Sequence, residues 1–346
     1  NMKKIMILGA TNNQVPLIRT AKRMGYWTIV ASIEGDYPGL TEADEICHVD
    51  ISNPEAVYTK AEELNIDGIT TCCMDTGIRA VGYVCERLGL CGLKEKSALL
   101  SNQKLLMKEA FMRGGVKSPI YIKVQNEIDL KIAWDQIPHP LILKAVDLQA
   151  SRGIYIVDTY EKLLDAFHSV MSMTRHDFCI VEQYILGKDI GAQAFIYKGE
   201  ILFILPHNDE TYTENASLPI GHSAPLDVPK EIYDEVIKQC ELAIRAIELD
   251  NCAVNIDLLL ADDGNVYMIE LTGRVGATCL PELVSIYYGI DYYEMIVTMA
   301  MGNDPKPIFI NRQSTFTANA SRFLMASKTG IVKRIDINIK DMSIIR

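Results

Sequence analysis

The chain has 346 residues, 49% hydrophobic and 23% charged, with 45 Asp+Glu against 34 Lys+Arg and a formal charge of −11. This composition excludes a disordered chain, a collagen and a disulfide scaffold, and the length allows about two or three domains. An acidic chain with no basic run also argues against nucleic-acid and membrane-surface binding, so an anionic ligand must be held locally by a few Lys/Arg and by helix N-termini.

In chain order, residues 3–8 predict a short buried strand, 9–13 a turn, 14–24 a helix and 27–31 a second strand. An acidic loop, a strand near 46–49, a helix over 54–64, a strand over 68–73 and a helix over 76–88 follow. Strands alternating with helices imply a parallel α/β sheet. The first turn, GATNNQ, is not GxGxxG, and no acidic residue ends the second strand at Ala31-Ser32. The pattern therefore predicts a Rossmann-like scaffold without its dinucleotide.

Beyond it, 97–113 predicts one helix ending at Gly114-Gly115. Strands are expected at 119–123, 141–145, 154–157, 178–185 and 191–197, with helices at 126–135 and 160–172 and a loop at 147–153. Residues 201–228 read as strand and loop, 229–248 as a long helix, 254–260 and 265–271 as a hairpin around Asp262-Asp263-Gly264-Asn265, and 280–301 as one helix. The tail, 314–346, reads as the start of a β-rich closing unit that continues past residue 346.

Nine cysteines are scattered without a CxxC pair, which points to a reducing compartment and against a zinc ribbon or a disulfide framework. The vicinal pair Cys72-Cys73 is expected in a strand core. No apolar run reaches the roughly 18–20 residues of a membrane span, and the chain enters a strand at once, so no secretory leader and a cytoplasmic location are expected.

Asp257 and Glu270 are lone acids in two apolar strands joined by a tight turn, and period-2 alternation lets both point to one face. Buried carboxylates are costly unless paired or bound to a cation. They are either structural, bonded to backbone or Arg, or ligands for Mg2+, which prefers hard oxygen donors. Lys144 closes the apolar run PLIL before a small polar loop, so it either snorkels to solvent or contacts a phosphate beside that loop. Lys104 lies on a helix, where a lysine is commonly just solvated. The segment Glu182 to Asp189 carries an acid, an apolar stretch and a second acid, a pattern fit for an adenine edge and a ribose.

These segments occur in the order of the ATP-grasp superfamily, and the chain resembles that family over roughly residues 2–330. "NQKLLMKEAFMRGGVKSP" resembles its first lysine helix, "PLILKAVDLQASRGI" its second lysine strand and phosphate loop, "VEQYILGKDIGAQAF" its adenine hinge and "NIDLLLADDGNVYMIELTGRVGA" its metal hairpin. The resemblance implies an α/β ATP-grasp fold. Its parts would be a Rossmann-like domain over 2–95, a lid subdomain with its linking helix over 96–190, and a C-terminal subdomain over 191–346, truncated at its end.

It further implies ATP as cofactor with one or two Mg2+ ions, Mn2+ being an alternative. Lys104 and Lys144 would contact the phosphates, with Ser151, Arg152 and Gly153 in the lid loop over them. Glu182, Gln183, Tyr184 and Ile185 would hold adenine and Asp189 the ribose. Asp257 and Glu270 would hold Mg2+, and Arg274 would meet the transferred phosphate. The segment "IGHSAP" resembles one in amino-acid ligases of the family, so His222 would meet the acyl phosphate or the amine. His207, Glu210, Glu214 and Arg322 are weaker candidates around the substrate. Thr272 stands where the family carries Asn, and a hydroxyl is the poorer metal ligand, which weakens the case for a second Mg2+. Only Gly153 remains of the glycines of the phosphate loop, and Gly276-Ala277 replaces a Gly-Gly.

The activity the resemblance implies is a carboxylate–amine ligase. ATP phosphorylates a carboxylate, and an amine attacks the acyl phosphate to give an amide, ADP and phosphate. The substrates would be a small carboxylate and an amine, with neither nucleic acid nor membrane as partner; dimers are common in the family, which suggests a homodimer. A carbamoyl-phosphate-synthetase-like enzyme phosphorylating bicarbonate and a non-catalytic ATP-binding module are the alternatives.

Overall fold

The computed structural model describes residues 2–147, 153–212, 218–313, 316–326 and 328–336. The first part of the chain runs β1 (Lys4–Leu8), α1 (Val15–Arg23), β2 (Trp27–Ser32), α2 (Pro38–Glu42), β3 (Glu45–His48), α3 (Pro54–Leu64), β4 (Gly68–Thr70) and α4 (Ile78–Leu88). The strands pair in parallel in the order β3-β2-β1-β4. Successive β1 residues feed two cores, Ile5 and Ile7 on one face and Met6 and Leu8 on the other. This explains why β1 shows no alternation in its sequence. The Asn53 side chain accepts from the Ala56 N–H to cap α3, with Pro54 in its first turn. The expected acidic loop after β2 contains the short helix α2.

The single helix expected over 97–113 is two, α5 (Glu95–Leu100) and α6 (Lys104–Arg113). The break falls at Ser101-Asn102-Gln103, where the Ser101 hydroxyl bonds the Ala98 carbonyl and Gln103 is extended. Short polar side chains that bond their own backbone compete with the helix at such places. Both helices pack into one core with the helix Lys230–Ala246 (Ala98, Met107, Phe111, Val236, Ala243).

A four-stranded antiparallel sheet follows, built from β5 (Tyr121–Val124), α7 (Glu127–Gln136), β6 (Leu141–Lys144), β7 (Ile154–Val157), α8 (Tyr160–Met173) and β8 (Cys179–Gln183), in the order β5-β8-β6-β7. Asn126 and Thr159 cap its two helices. Leu130, Leu141, Leu163, Phe167 and Val181 meet in its core.

The remainder runs β9 (Gly187–Tyr197), β10 (Glu200–Tyr212), β11 (Leu218–Ala224), α9 (Lys230–Ala246), β12 (Cys252–Ala261), β13 (Val266–Thr272), α10 (Leu280–Tyr288), α11 (Tyr292–Ala300), α12 (Lys306–Ile310) and β14 (Asn319–Arg322). Its strands form an antiparallel sheet in the order β13-β12-β9-β10-β11-β14. The helix expected over 280–301 is interrupted because Gly289, at φ 65°, closes α10 and Asp291 caps α11. Of the β-rich tail, β14 is the strand found among the described residues.

Alternation along these strands sets up the site. On β9, Ile190, Ala192 and Ala194 face the core shared with α9, while Phe195 and Tyr197 face α10 and α11. Gly191 and Gln193 share the face of Phe195. On β10, Phe203 and Leu205 lead along that face to His207 and Asp209, and on β12, Ala253 leads to Asn255 and Asp257. One face of one sheet therefore passes from apolar core to a polar field within two residues on each of three strands. No helix among the described residues is long and apolar enough to cross a membrane.

Candidate active site

Across that polar field the register is continuous. Glu270 lies opposite Asp257, Asp257 opposite Gly191, and Gly191 opposite His207. Gly191 is what lets the His207 ring lie over β9, since a Cβ there would stand 2.4 Å from the ring's Cε1. Burial, then Glu270, then Asp209 push Asp257 up to about 8. It is offset only by neighbouring charge and by the Asn255 amide, whose Nδ2 donates at 3.1 Å to Asp257 Oδ1. Thr272 faces Asn255 in register, and its buried hydroxyl oxygen has no hydrogen-bond partner among the described residues. Two facing carboxylates and an orphaned hydroxyl form an all-oxygen donor set that fits Mg2+.

A second cluster centres on Glu182 of β8. Lys108 Nζ sits 3.0 Å from its Oε1 and Lys144 Nζ 3.0 Å from its Oε2. Glu182 is buried on the strand between β5 and β6, opposite Tyr121 and Ile142. Burial acts to raise its pKa, but the two ammonium groups outweigh it and hold the carboxyl below its usual range. Burial lowers Lys108, Glu182 works against that, and Lys144 lowers it further; Glu270 also acts on Lys108 through space. The lysine cluster and the carboxylate pair thus share one electrostatic environment.

Lys104 opens α6, half-buried, and is not part of this cluster. Lys108, one turn later, was missed in the sequence reading. Its signal is its place beside Met107 and three residues before the fully buried Phe111, on the apolar side of the helix.

The hinge residues connect the two antiparallel sheets. Gln183 N–H donates to the Ile120 carbonyl, Tyr184 N–H to that of Pro140, and the Leu186 carbonyl accepts from Asp262 N–H. Ile185 lies within this crossing, and Asp189 is opposite Leu259 on β9, half-buried. Ser151 and Arg152 lie outside the described residues. The carbonyl of Gly153, at φ 69°, accepts from Ala145 N–H at 2.8 Å, next to Lys144 in the chain.

Arg274 reaches the parallel sheet. Its Nε and Nη2 stand 2.8 and 2.7 Å from Asp75 Oδ1, in the segment after β4. Beside it the Cys73 N–H donates to the Val275 carbonyl at 3.0 Å, with Cys73 at φ 57°. The strand expected over 68–73 accordingly ends at Thr70, because the backbone of Cys73 turns to pair with the 274–276 segment. Burial works against the Arg274 charge, and Asp75 more than restores it.

At the other side of the field, His207 Nδ1 and His222 Nδ1 both bond Asp209 Oδ1, at 2.8 and 2.6 Å. Asp209 and His222 are directly opposite on β10 and β11. Burial opposes the Asp209 charge, but the two histidines hold the carboxyl well below its usual range. Arg322 pairs with Glu210 at 3.0 Å, and Glu214 lies outside the described residues.

The three sheets and the site they frame have the plan of an ATP-grasp protein, and the comparisons agree. The ATP-grasp domain model matches residues 137–282. The crystal structure of phosphoribosylglycinamide synthetase from Anaerococcus prevotii is 43% identical, covers 99% of this chain and 86% of that one, and superposes with a TM-score of 0.85. The chain belongs to the ATP-grasp family.

The L-amino acid ligase structure from Bacillus licheniformis has a TM-score of 0.76 at 19% identity, covering 86% of this chain and 75% of that one. Among curated proteins, the alanine–anticapsin ligase of Bacillus subtilis is 26% identical over 290 residues, 74% of this chain. This chain spans 60% of the length of that relative.

Proposed function

We propose that this chain is an ATP-dependent carboxylate–amine ligase that makes an amide through an acyl phosphate, with ADP and phosphate as co-products. The observation that carries the reading is the facing pair Asp257 and Glu270, set beside two lysines that share one buried carboxylate. Phosphoryl transfer to a carboxylate needs little covalent chemistry from the protein; it needs positioning and neutralisation of charge. The relative at 43% identity supports a carboxylate–amine ligase, since its name contains a glycinamide.

In this reading Lys108 and Lys144 hold the ATP phosphates, with Glu182 keeping both ammonium groups in place. The hinge at Gln183, Tyr184 and Ile185 takes the adenine, and Asp189 the ribose hydroxyls. Asp257 and Glu270 would hold Mg2+, with the Thr272 hydroxyl a further oxygen on the same face of β13. When bound, the ion would neutralise charge on the transferred phosphoryl group. Arg274, anchored by Asp75, stands ready for the acyl phosphate, and His222 for the incoming amine. The carboxylate would lie between Arg274 and the Asp209 cluster. No protein nucleophile is required, and none of the nine cysteines is assigned one.

The test is trapping. With Mg·ATP, hydroxylamine and a panel of small carboxylates, chiefly amino acids, the protein should form a hydroxamate with at least one of them and release ADP. ATP binding without ADP release for any carboxylate would leave a binding module instead.

A further inference from the structure

The Asp209 cluster is more than a pair of buried histidines, because its protons are fixed from outside. Gly276 N–H donates to Gln193 Oε1 at 2.9 Å, and Asn255 Nδ2 donates to Asp257. Gln193 Nε2 then donates to Asn255 Oδ1 at 2.7 Å. These bonds settle which end of each amide is which. The second Gln193 N–H is offered to two acceptors, the Ala192 carbonyl at 3.1 Å and His207 Nε2 at 3.3 Å. The Asp209 carboxylate fixes the ring in turn, since His207 Nδ1 donates its proton there. Asp209 carries no proton of its own to offer, so His222 Nδ1 must also donate to the same oxygen. The consequence is at the far end: in the neutral ring the Nε2 of His222 is the accepting nitrogen, and no described residue donates to it.

We infer that Asp209 and His222 form the base that takes the proton of the attacking amine, with His207, Gln193 and Asn255 as positioning residues that tie this dyad to Asp257. The inference rests on the ligase reading above and names the residues of its second half-reaction. His222 is 6% exposed and lies on the sheet face that carries Asp257 and Glu270. Its strand is three strands from β12, about 14 Å between backbones, a gap that a phosphate at the carboxylates, its acyl group and an amine would fill.

The step balances. The substrate enters as an ammonium, and His222 Nε2 takes one of its protons, the resulting imidazolium being held by the Asp209 carboxylate. The freed amine attacks the acyl carbon, the C–N bond forms, the C–O bond to phosphate breaks with its electron pair leaving on phosphate, and the second nitrogen proton leaves with that phosphate. The other charged groups on the elements packed against β11 are Glu200 and Glu210 on β10, paired with Lys306 and with Arg322 on β14, and Glu282 on α10, which accepts from Tyr293 Oη.

Hydroxylamine separates this role from a structural one. It is unprotonated at neutral pH and attacks an acyl phosphate without help, whereas an alkylammonium must first lose a proton. With the carboxylate that gives a hydroxamate, turnover would be measured with hydroxylamine and with the natural type of nucleophile, an amino-acid amine. For His222→Gln and for Asp209→Asn, the ratio of amide to hydroxamate should fall about 10²-fold or more, the size of a general-base effect.

An unchanged ratio in both variants overturns the inference. So does a stoichiometric transition-metal ion in the purified wild type that Asp209→Asn abolishes, since a His-x-Asp pair facing a third ligand across a strand would then be a metal centre. A wild type that makes neither amide nor hydroxamate with any carboxylate instead defeats the ligase reading itself.

Discussion

Asp257 and Glu270 stand directly opposite each other on β12 and β13, and burial with this partner pushes Asp257 up to about 8. The apo protein is therefore expected to hold a proton on Asp257 at neutral pH, which a divalent cation must displace. The sign follows: Mg2+ affinity should rise with pH through 7 to 8, and binding at pH 7 should release about one proton. Titration calorimetry in two buffers of different ionisation enthalpy measures this directly. Proton-neutral binding at pH 7 would remove Asp257 from the cation site.

The two lysines on α6 should behave differently. Lys108 is buried against Glu182, and Lys104 is half-buried at the helix start. A charge-assisted contact contributes roughly 1.5–3 kcal/mol, so Lys108→Met should weaken ATP binding about 10- to 150-fold. Lys104→Met should change it less than about threefold. Equilibrium binding of a fluorescent ATP analogue distinguishes them, and the reverse order would return the phosphate role to Lys104. In Glu182→Ala both ammonium groups lose their partner in a buried place, so a loss of about 3–5 kcal/mol of stability is expected by denaturant unfolding.

Gly191 should tolerate no side chain. An added Cβ would stand 2.4 Å from His207 Cε1 and 3.1 Å from the Ile256 carbonyl oxygen. Gly191→Ala should cost about 1–3 kcal/mol of stability through overpacking. It should also displace the His207 ring and lower the rate of amide formation more than ATP affinity. A variant with wild-type melting temperature and rate would show that the ring has room to move.

Much of this architecture was legible in the sequence because it rests on local rules. The Pro54 start and the Asn53 cap mark α3, and the Asp-Asp-Gly-Asn turn marks the hairpin that brings Asp257 opposite Glu270. The broken helices were less legible. Continuous apolar periodicity hid the Ser101 and Gly289 interruptions, where hydroxyl competition and a left-handed glycine override the pattern.

The site shows the same division. Asp257, Glu270 and Lys144 stand out as charges in apolar strands, so their half-buried position could be inferred. Lys108 did not, because its partner Glu182 is 74 positions away. Asp209 was overlooked as one polar residue among several in 205–225. Its importance comes from pairing across β10 and β11, where two histidines meet one oxygen. Asp75, which anchors Arg274, lies in a different sheet's loop, and nothing near it in the sequence marks it.

The central claim is that a carboxylate is phosphorylated, and isotope transfer tests it most directly. The carboxylate that supports ADP release would be supplied with 18O in both carboxyl oxygens, together with Mg·ATP and an amine. The account predicts that one 18O per turnover appears in the inorganic phosphate, because the acyl C–O bond breaks and its oxygen leaves on phosphorus. ADP and amide formed with unlabelled phosphate would contradict it, since the carboxylate oxygen would never have been joined to the transferred phosphoryl group.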